Sequence, residues 1–369
     1  MGICCNKKGF ENYCFISSTP SIDLIKNFQQ SLPKIILIQR YYRKHLMKSI
    51  IKKRIRSIFL RNAFVNSPST QYLTTVQNII QKMKNYSQNE KVNSIERTLD
   101  DFQNFKKEED ITNREFRDLI YLENGGVYAG EWKINTNERD GFGIQIWSDG
   151  SKYIGYWKSN KTNGLGRIIH ADGDVYEGEW KDDKAEGYGK YTHSEGGVYA
   201  GYWFQDRQHG LGLESWNDGA KFEGEYLEGK KNGKGKFIWA DGSTYQGTFE
   251  NNNIQGFGFN NIGIYIWADR RSYSGNWRDS KMCGRGEFKW PDGRKYIGEY
   301  LNDKKEGYGI FEWLDGRRYE GYWLDGKQHG KGFYIGANKI KKEGEWVNGK
   351  RIRWIEYGEP EISEEKTEF

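Results

Sequence analysis

The chain has 369 residues and combines abundant Tyr (25), Phe (19) and Trp (14) with 46 Gly, while Pro (5), Met (4) and Cys (4) are scarce, a mixture suited to many short aromatic strands joined by tight turns. The glycines do not recur every third residue, which excludes collagen, and Cys4, Cys5, Cys14 and Cys283 lie at no metal-ligand spacing with a histidine, so neither a disulfide framework nor a zinc site follows. The net charge of +6 hides a division: residues 1–89 hold 15 Lys/Arg against 2 acids, leaving 42 basic and 49 acidic residues in 90–369.

A basic block of this kind reads as a surface for an anionic membrane, an acidic protein or a nucleic acid. No apolar run is long enough to cross a bilayer and no secretory signal opens the chain, so the expected location is inside the cell and not across a membrane. Residues 1–20 form a tail. Its start, Met1-Gly2-Ile3-Cys4-Cys5-Asn6-Lys7-Lys8, resembles a dual-acylation signal, with myristate on Gly2 and palmitate on Cys4 and Cys5, although Asn6 stands where the usual pattern has Ser or Thr. One acyl chain binds membranes only marginally; a second chain or the nearby lysines would make the anchor stable.

Residues 21–66 contain a basic helix. Ser31 can cap it, Pro33 fits its first turn, and Ile35, Ile38, Tyr42, Leu46 and Ile50 follow helical spacing. Ten basic residues and no acid occur from Lys34 to Arg61. Within this helix Ile38, Gln39, Arg43 and Lys48 resemble an IQ motif, which a calmodulin-like protein grips as an apolar and basic helix; Lys44 takes the place of the motif's Gly. The helix could instead lie on anionic lipid, pack on the rest of the chain, or bind nucleic acid, the last being unexpected because no recognised nucleic-acid fold accompanies it. Residues 70–122 are read as amphipathic and helical, from Val92, Ile95, Leu99, Phe102 and Phe105, with Thr112-x-x-Glu115 as a capping box.

From residue 123 to 350 one pattern returns: aromatic, any residue, Gly, any residue, aromatic. It runs through Tyr128-x-Gly130-x-Trp132, Tyr153-x-Gly155-x-Trp157, Tyr176-x-Gly178-x-Trp180 and Tyr199-x-Gly201-x-Trp203, and later through Tyr296-x-Gly298 and Tyr319-x-Gly321-x-Trp323. The glycines Gly130, Gly155, Gly178, Gly201, Gly224, Gly247, Gly275, Gly298, Gly321 and Gly344 follow one another at intervals of 25, 23, 23, 23, 23, 28, 23, 23 and 23. A fixed period in this range means a stacked array, and the two longer intervals are loop insertions. Each unit adds Gly-x-Gly, an apolar or aromatic run and usually Asp-Gly, as in Gly141-x-Gly143, Trp147 and Asp149-Gly150. Asp-Gly between two β-prone runs signals a hairpin turn, because its residues tolerate positive φ. Tyr, Gly and Trp of one strand share a face, and interior glycine at one fixed position predicts an aromatic ring lying across it.

This region resembles the MORN (membrane occupation and recognition nexus) family, whose repeats read Tyr-x-Gly-x-Trp, Gly-x-Gly, Asp-Gly; Gln208-His209-Gly210-Leu211-Gly212 and Gln328-His329-Gly330-Lys331-Gly332 fit it well. The resemblance implies a mainly β fold, an elongated antiparallel β-meander of about ten hairpins, preceded by the helical N-terminal region and followed by an acidic tail, residues 351–369. The seventh repeat departs by carrying Ala268-Asp269-Arg270 for Asp-Gly, and the tenth by carrying Lys342 for its first aromatic. The family implies a non-enzymatic scaffold that organises membrane junctions, cell cortex or cilia, binding proteins on its sheet; the rivals are a regulatory module for a separate phosphoinositide kinase and a ciliary component without acyl chains.

No catalytic residue, cofactor or metal is expected. His170 and His193 fill the slot where six other repeats carry Trp, and equivalent slots lie two strands, about 9.6 Å, apart, too far for a shared metal. The Gly-x-Gly pairs open strands rather than helices, so they lack phosphate-cradling geometry.

Overall fold

The computed structural model describes residues 70–84, 86–100, 102, 113–258 and 262–355. The chain divides into two units at residue 65, and all described residues belong to the second. The acylation residues Gly2, Cys4 and Cys5, the IQ-like residues Ile38, Gln39, Arg43 and Lys48, and the acidic segment from Glu356 lie outside the described residues.

Two helices come first, α1 (Thr70–Met83) and α2 (Glu90–Thr98), the second capped by Asn89, whose side chain accepts from Lys91 and Val92 N–H. Strand β1 (Arg114–Tyr121) then opens a single antiparallel sheet of 22 strands that ends with Lys350–Trp354. The helical reading of 70–122 is corrected at this strand. Residues 114–121, including Glu115 of the expected capping box, pair with Val127–Lys133, Glu115 lying opposite Trp132, because the first hairpin offers an open edge whose N–H and C=O groups need partners. The sheet thus extends past both expected limits of the array, 123 and 350.

Each repeat is one hairpin, and its two glycines in Gly-x-Gly have separate causes. Facing strands pair glycine to glycine, as in Gly155↔Gly166, after which the register slips before Trp157↔Thr162. The first glycine, Gly164 in this hairpin, takes φ +87° inside the slip, a bulge conformation that glycine adopts without a Cβ penalty. The second, Gly166, is flat against a ring: a Cβ there would lie 2.1 Å from Tyr153 Oη. The ring belongs to the tyrosine two residues before the first glycine of the pair, and it spans both, Gly155 and Gly166. Its hydroxyl, held at the far end, donates to the carbonyl of the residue opposite the bulge, Tyr153 to Tyr156 O at 3.1 Å.

Turn chemistry differs from the sequence reading. At Asp-Gly only the glycine has positive φ, +88° at Gly150, while Asp149 accepts from Ser151 N–H at 2.9 Å. The turns with two adjacent positive φ values lie at the opposite end, at pairs such as Ser159-Asn160, Asp182-Asp183 and Asn302-Asp303, where that geometry matches the strand twist. Their second residue stitches repeats together: Asp183 N–H donates to Thr162 O, and its carboxylate accepts from Thr162 N–H at 2.7 Å. The first of the two longer intervals comes from extra residues in the turn after Lys133. The second splits the returning strand of the sixth repeat into Asn253–Gln255 and Gly263–Ile266.

Candidate interaction surface

The tyrosine face carries two rows of rings. The inner row is buried: Tyr128, Tyr153, Tyr245, Tyr273, Tyr296 and Tyr319 are fully enclosed. From Tyr128 to Trp346 the rings meet edge to face at 4.9–5.7 Å, alternating within a repeat (Tyr153–Trp157) and between repeats (Tyr153–Trp180), the geometry favoured by ring quadrupoles. The tryptophans also reach back, Trp157 and Trp180 Nε1 donating to Gly143 O and Gly166 O. Every repeat-core residue expected from the sequence sits in this row or beneath it: Tyr176, Tyr199, Trp132 and Trp323 buried, Trp180 and Trp203 half-buried, Gly130, Gly178, Gly201, Gly298 and Gly321 each under a ring.

The outer row was missed. It alternates residues of the second strand with the Trp that precedes Asp-Gly, and runs from Trp216 through Phe237, Trp239, Tyr265, Trp267, Phe288, Trp290, Phe311, Trp313 and Tyr334 to Trp354 with centroids 4.4–6.3 Å apart. Phe288 and Phe311 are buried and the others half-buried. The signal was available as strand parity: Phe311 faces Tyr296 across its own hairpin and Tyr319 of the next repeat, and so shares their face. Before Trp216 the same slots hold Gln145, Ile168, His170, His193 and Glu214, with Trp147 and Tyr191 the only large rings, so the aromatic stripe occupies the C-terminal part of the array. Arg271, Arg294 and Arg317 stack over Trp267, Trp290 and Trp313 at 5.5–5.6 Å, each held by its turn aspartate. An open depression of about 500 Å³ lies beside the row, lined by Glu214, Lys231, Phe237, Trp239 and Phe249.

The opposite face is covered at its N-terminal end. Val76, Ile79 and Met83 of α1 pack on Ala129, Phe142, Ile144 and Ile154, and Val92 of α2 packs on Ile169 and Val175. Buried polar groups fix this docking. Glu131 accepts from Phe142 N–H at 2.5 Å and from Tyr72 Oη at 3.3 Å. Lys152, whose amine burial pushes below its usual range, donates to Met83 O and pairs with Glu96.

Among the described residues no group of three His, Cys, Asp or Glu is placed to hold a metal, and no helix is long and apolar enough to cross a membrane. His170 and His193 occupy separate hairpins, with His193 3.7 Å from Asp174. His209 and His329 each bury an Nδ1 that has no hydrogen-bond partner.

The MORN repeat model matches residues 128–152, 153–175, 176–198, 199–221, 222–244, 245–259, 273–293, 296–316, 319–340 and 343–351, more than half of the chain. The chain belongs to the MORN-repeat family. A MORN array is a non-catalytic scaffold module, and the site here is accordingly a surface and not a pocket. No match to a curated protein is significant. Among solved structures, the TCP10 domain of Danio rerio CPAP is similar at 10% identity over 65% of this chain and 99% of that one, with a TM-score of 0.32. The SAS-4 TCP domain of Drosophila melanogaster is similar at 14% identity over 55% and 99%, with a TM-score of 0.25. These scores lie below those of chains that share a fold, and the MORN repeats alone carry the family assignment.

Proposed function

We propose that the chain is a scaffold that holds protein partners on the tyrosine face of its MORN array, with the N-terminus tethering it to the cytoplasmic side of a membrane or to the cell cortex. The half-buried stripe from Trp216 to Trp354 supports this reading: rows of aromatic rings edged by arginine have the make-up of protein-interface hot spots. Residues 90–353 are also nearly neutral in net charge, −2, which assigns attraction to anionic lipid to the basic N-terminus. Trp239→His, Trp290→His and Trp313→His together place in the stripe the residue that repeats two and three carry in that slot. The reading expects this variant to keep its melting temperature within a few degrees while co-purified partners fall more than tenfold; undiminished partners would reject it.

The tether and the calmodulin contact rest on sequence alone. Membrane recovery of Gly2→Ala should drop, and unchanged recovery would remove the tether. Capture by calmodulin should drop in Ile38→Ala with Gln39→Ala, and undiminished capture would remove the IQ assignment. A cytoskeletal or ciliary component without acyl chains is the second reading, favoured because the whole stripe is built from residues 216–354 and needs nothing from the N-terminus. A stoichiometric phosphoinositide kinase in the purified complex would instead point to a regulatory subunit.

A further inference from the structure

Two equivalent places on the tyrosine face differ in whether a carboxylate is present. In the fifth repeat Lys231 lies 4.9–5.6 Å from the ring centroids of Trp216, Phe222 and Tyr226, and Glu214 takes both its amine, at 2.9 Å, and the Tyr226 hydroxyl, at 2.7 Å. In the eighth repeat the same slots hold Lys305 and Tyr300, facing each other across the hairpin. Lys305 lies 4.7–5.3 Å from the centroids of Trp290, Tyr296, Phe311 and Trp323. The slot of Glu214 is taken by Phe288, at the same offset along the chain as Tyr300 from Tyr226 and Lys305 from Lys231.

Two groups therefore lack the acceptor that the fifth repeat supplies. The Tyr300 hydroxyl is buried with no hydrogen-bond partner, and among the described residues Lys305 has no carboxylate partner. Burial, and then the Arg294 charge, push its amine down to about 8. A buried donor without an acceptor is unfavourable, and a carboxylate reaching in over Phe288 would satisfy both groups, as Glu214 does in the fifth repeat.

We infer that Lys305 and Tyr300 form a carboxylate-binding site whose occupant is a glutamate of this chain's own acidic segment, residues 356–369. That segment carries Glu356, Glu359, Glu361, Glu364, Glu365 and Glu368 against a single Lys366, and it begins two positions after Trp354, the last ring of the outer row. The strand ending at Trp354 is the fourth along from the strand of Lys305, about 19 Å at about 4.8 Å per strand. A fully extended segment of this length spans about 46 Å. Along that path lie Lys342 and Arg351, both over the Trp354 ring.

Zero-length carbodiimide cross-linking of the full chain tests this, because it joins a carboxylate to an amine only in contact. The Lys231–Glu214 pair is the internal control. The expected product is an amide between Lys305 and a glutamate of 356–368, within one chain when isotopically light and heavy protein are mixed. It should fall at least tenfold when the six glutamates are replaced by Gln, and be lost in Lys305→Gln, which installs the residue found in this slot at Gln208 and Gln328, while the control persists. Formation of the control link without the Lys305 link, or a Lys305 link only between chains, would overturn the assignment. The result does not depend on the scaffold reading: partners lost from the stripe variant and a Lys305 link are separate outcomes.

Discussion

Tyr296 shows what one residue does for its repeat. Its ring roofs Gly298 and Gly309, its edge meets Tyr300 and Trp323, and its hydroxyl donates to Glu299 O at 3.1 Å. Removing that hydroxyl leaves the packing and takes away this hydrogen bond, so Tyr296→Phe should cost about 1 kcal/mol in urea unfolding. The fifth repeat is the natural converse, since Phe222 roofs Gly224 and Gly235 without a hydroxyl; Phe222→Tyr should gain about 1 kcal/mol, and no gain would mean that the hydroxyl is incidental. Arg270 stands at φ +69° in a turn position that most repeats give to glycine, and Arg270→Gly should stabilise the chain by about 1 kcal/mol, read as a higher melting temperature. The identity of the ring and the glycine was legible in the sequence, because strand period places them on one face. Which glycine needs positive φ and which needs bare space was not, because the register slip that separates them exists only once strands pair.

At the scale of elements, the joints between repeats are polar. Asp174 accepts the Tyr191 hydroxyl and, at 2.8 Å, the Ser194 N–H of the next repeat. Burial opposes its ionisation, but these hydrogen bonds, with His193, outweigh burial and hold the carboxyl below the usual range. A carboxyl depressed in the folded state adds stability above its unfolded pKa of about 3.9, and that stability is lost as pH falls through the folded value. Asp174→Asn should therefore be less stable than wild type by about 1–2 kcal/mol at pH 7, with the gap closing below about pH 4; a gap that persisted in acid would exclude the carboxylate as its source. The helices were legible from their apolar spacing, Val92, Ile95 and Leu99 in particular. Strand β1 was not, since nothing local to Glu115 and Phe116 outweighs a helical reading until the edge of the first hairpin is present to pair with it. Nor was the docking of α1 and α2 on the face away from the tyrosines, which depends on Lys152 meeting Glu96 from far along the chain.

For the whole molecule, the claim on which the rest depends is that each tyrosine roof joins one hairpin to the next, so that stability passes between neighbours as in a one-dimensional chain. Gly309 is a node of that coupling: a Cβ would come within 2.2 Å of Tyr296 Oη, Gly309 faces Gly321 of the ninth repeat, and its carbonyl accepts from Trp323 Nε1 at 3.3 Å. Overpacking of this kind costs about 1–3 kcal/mol. The regular period made the array legible; the outer stripe, on which the proposed partners would sit, was not, because its rings come from two different slots of each repeat and join only across hairpins. Hydrogen exchange of the full chain against Gly309→Ala tests the coupling most directly. The account predicts that amides of the eighth and ninth repeats lose protection together while those of the first three keep theirs, and exchange confined to the eighth repeat, or unchanged throughout, would contradict it.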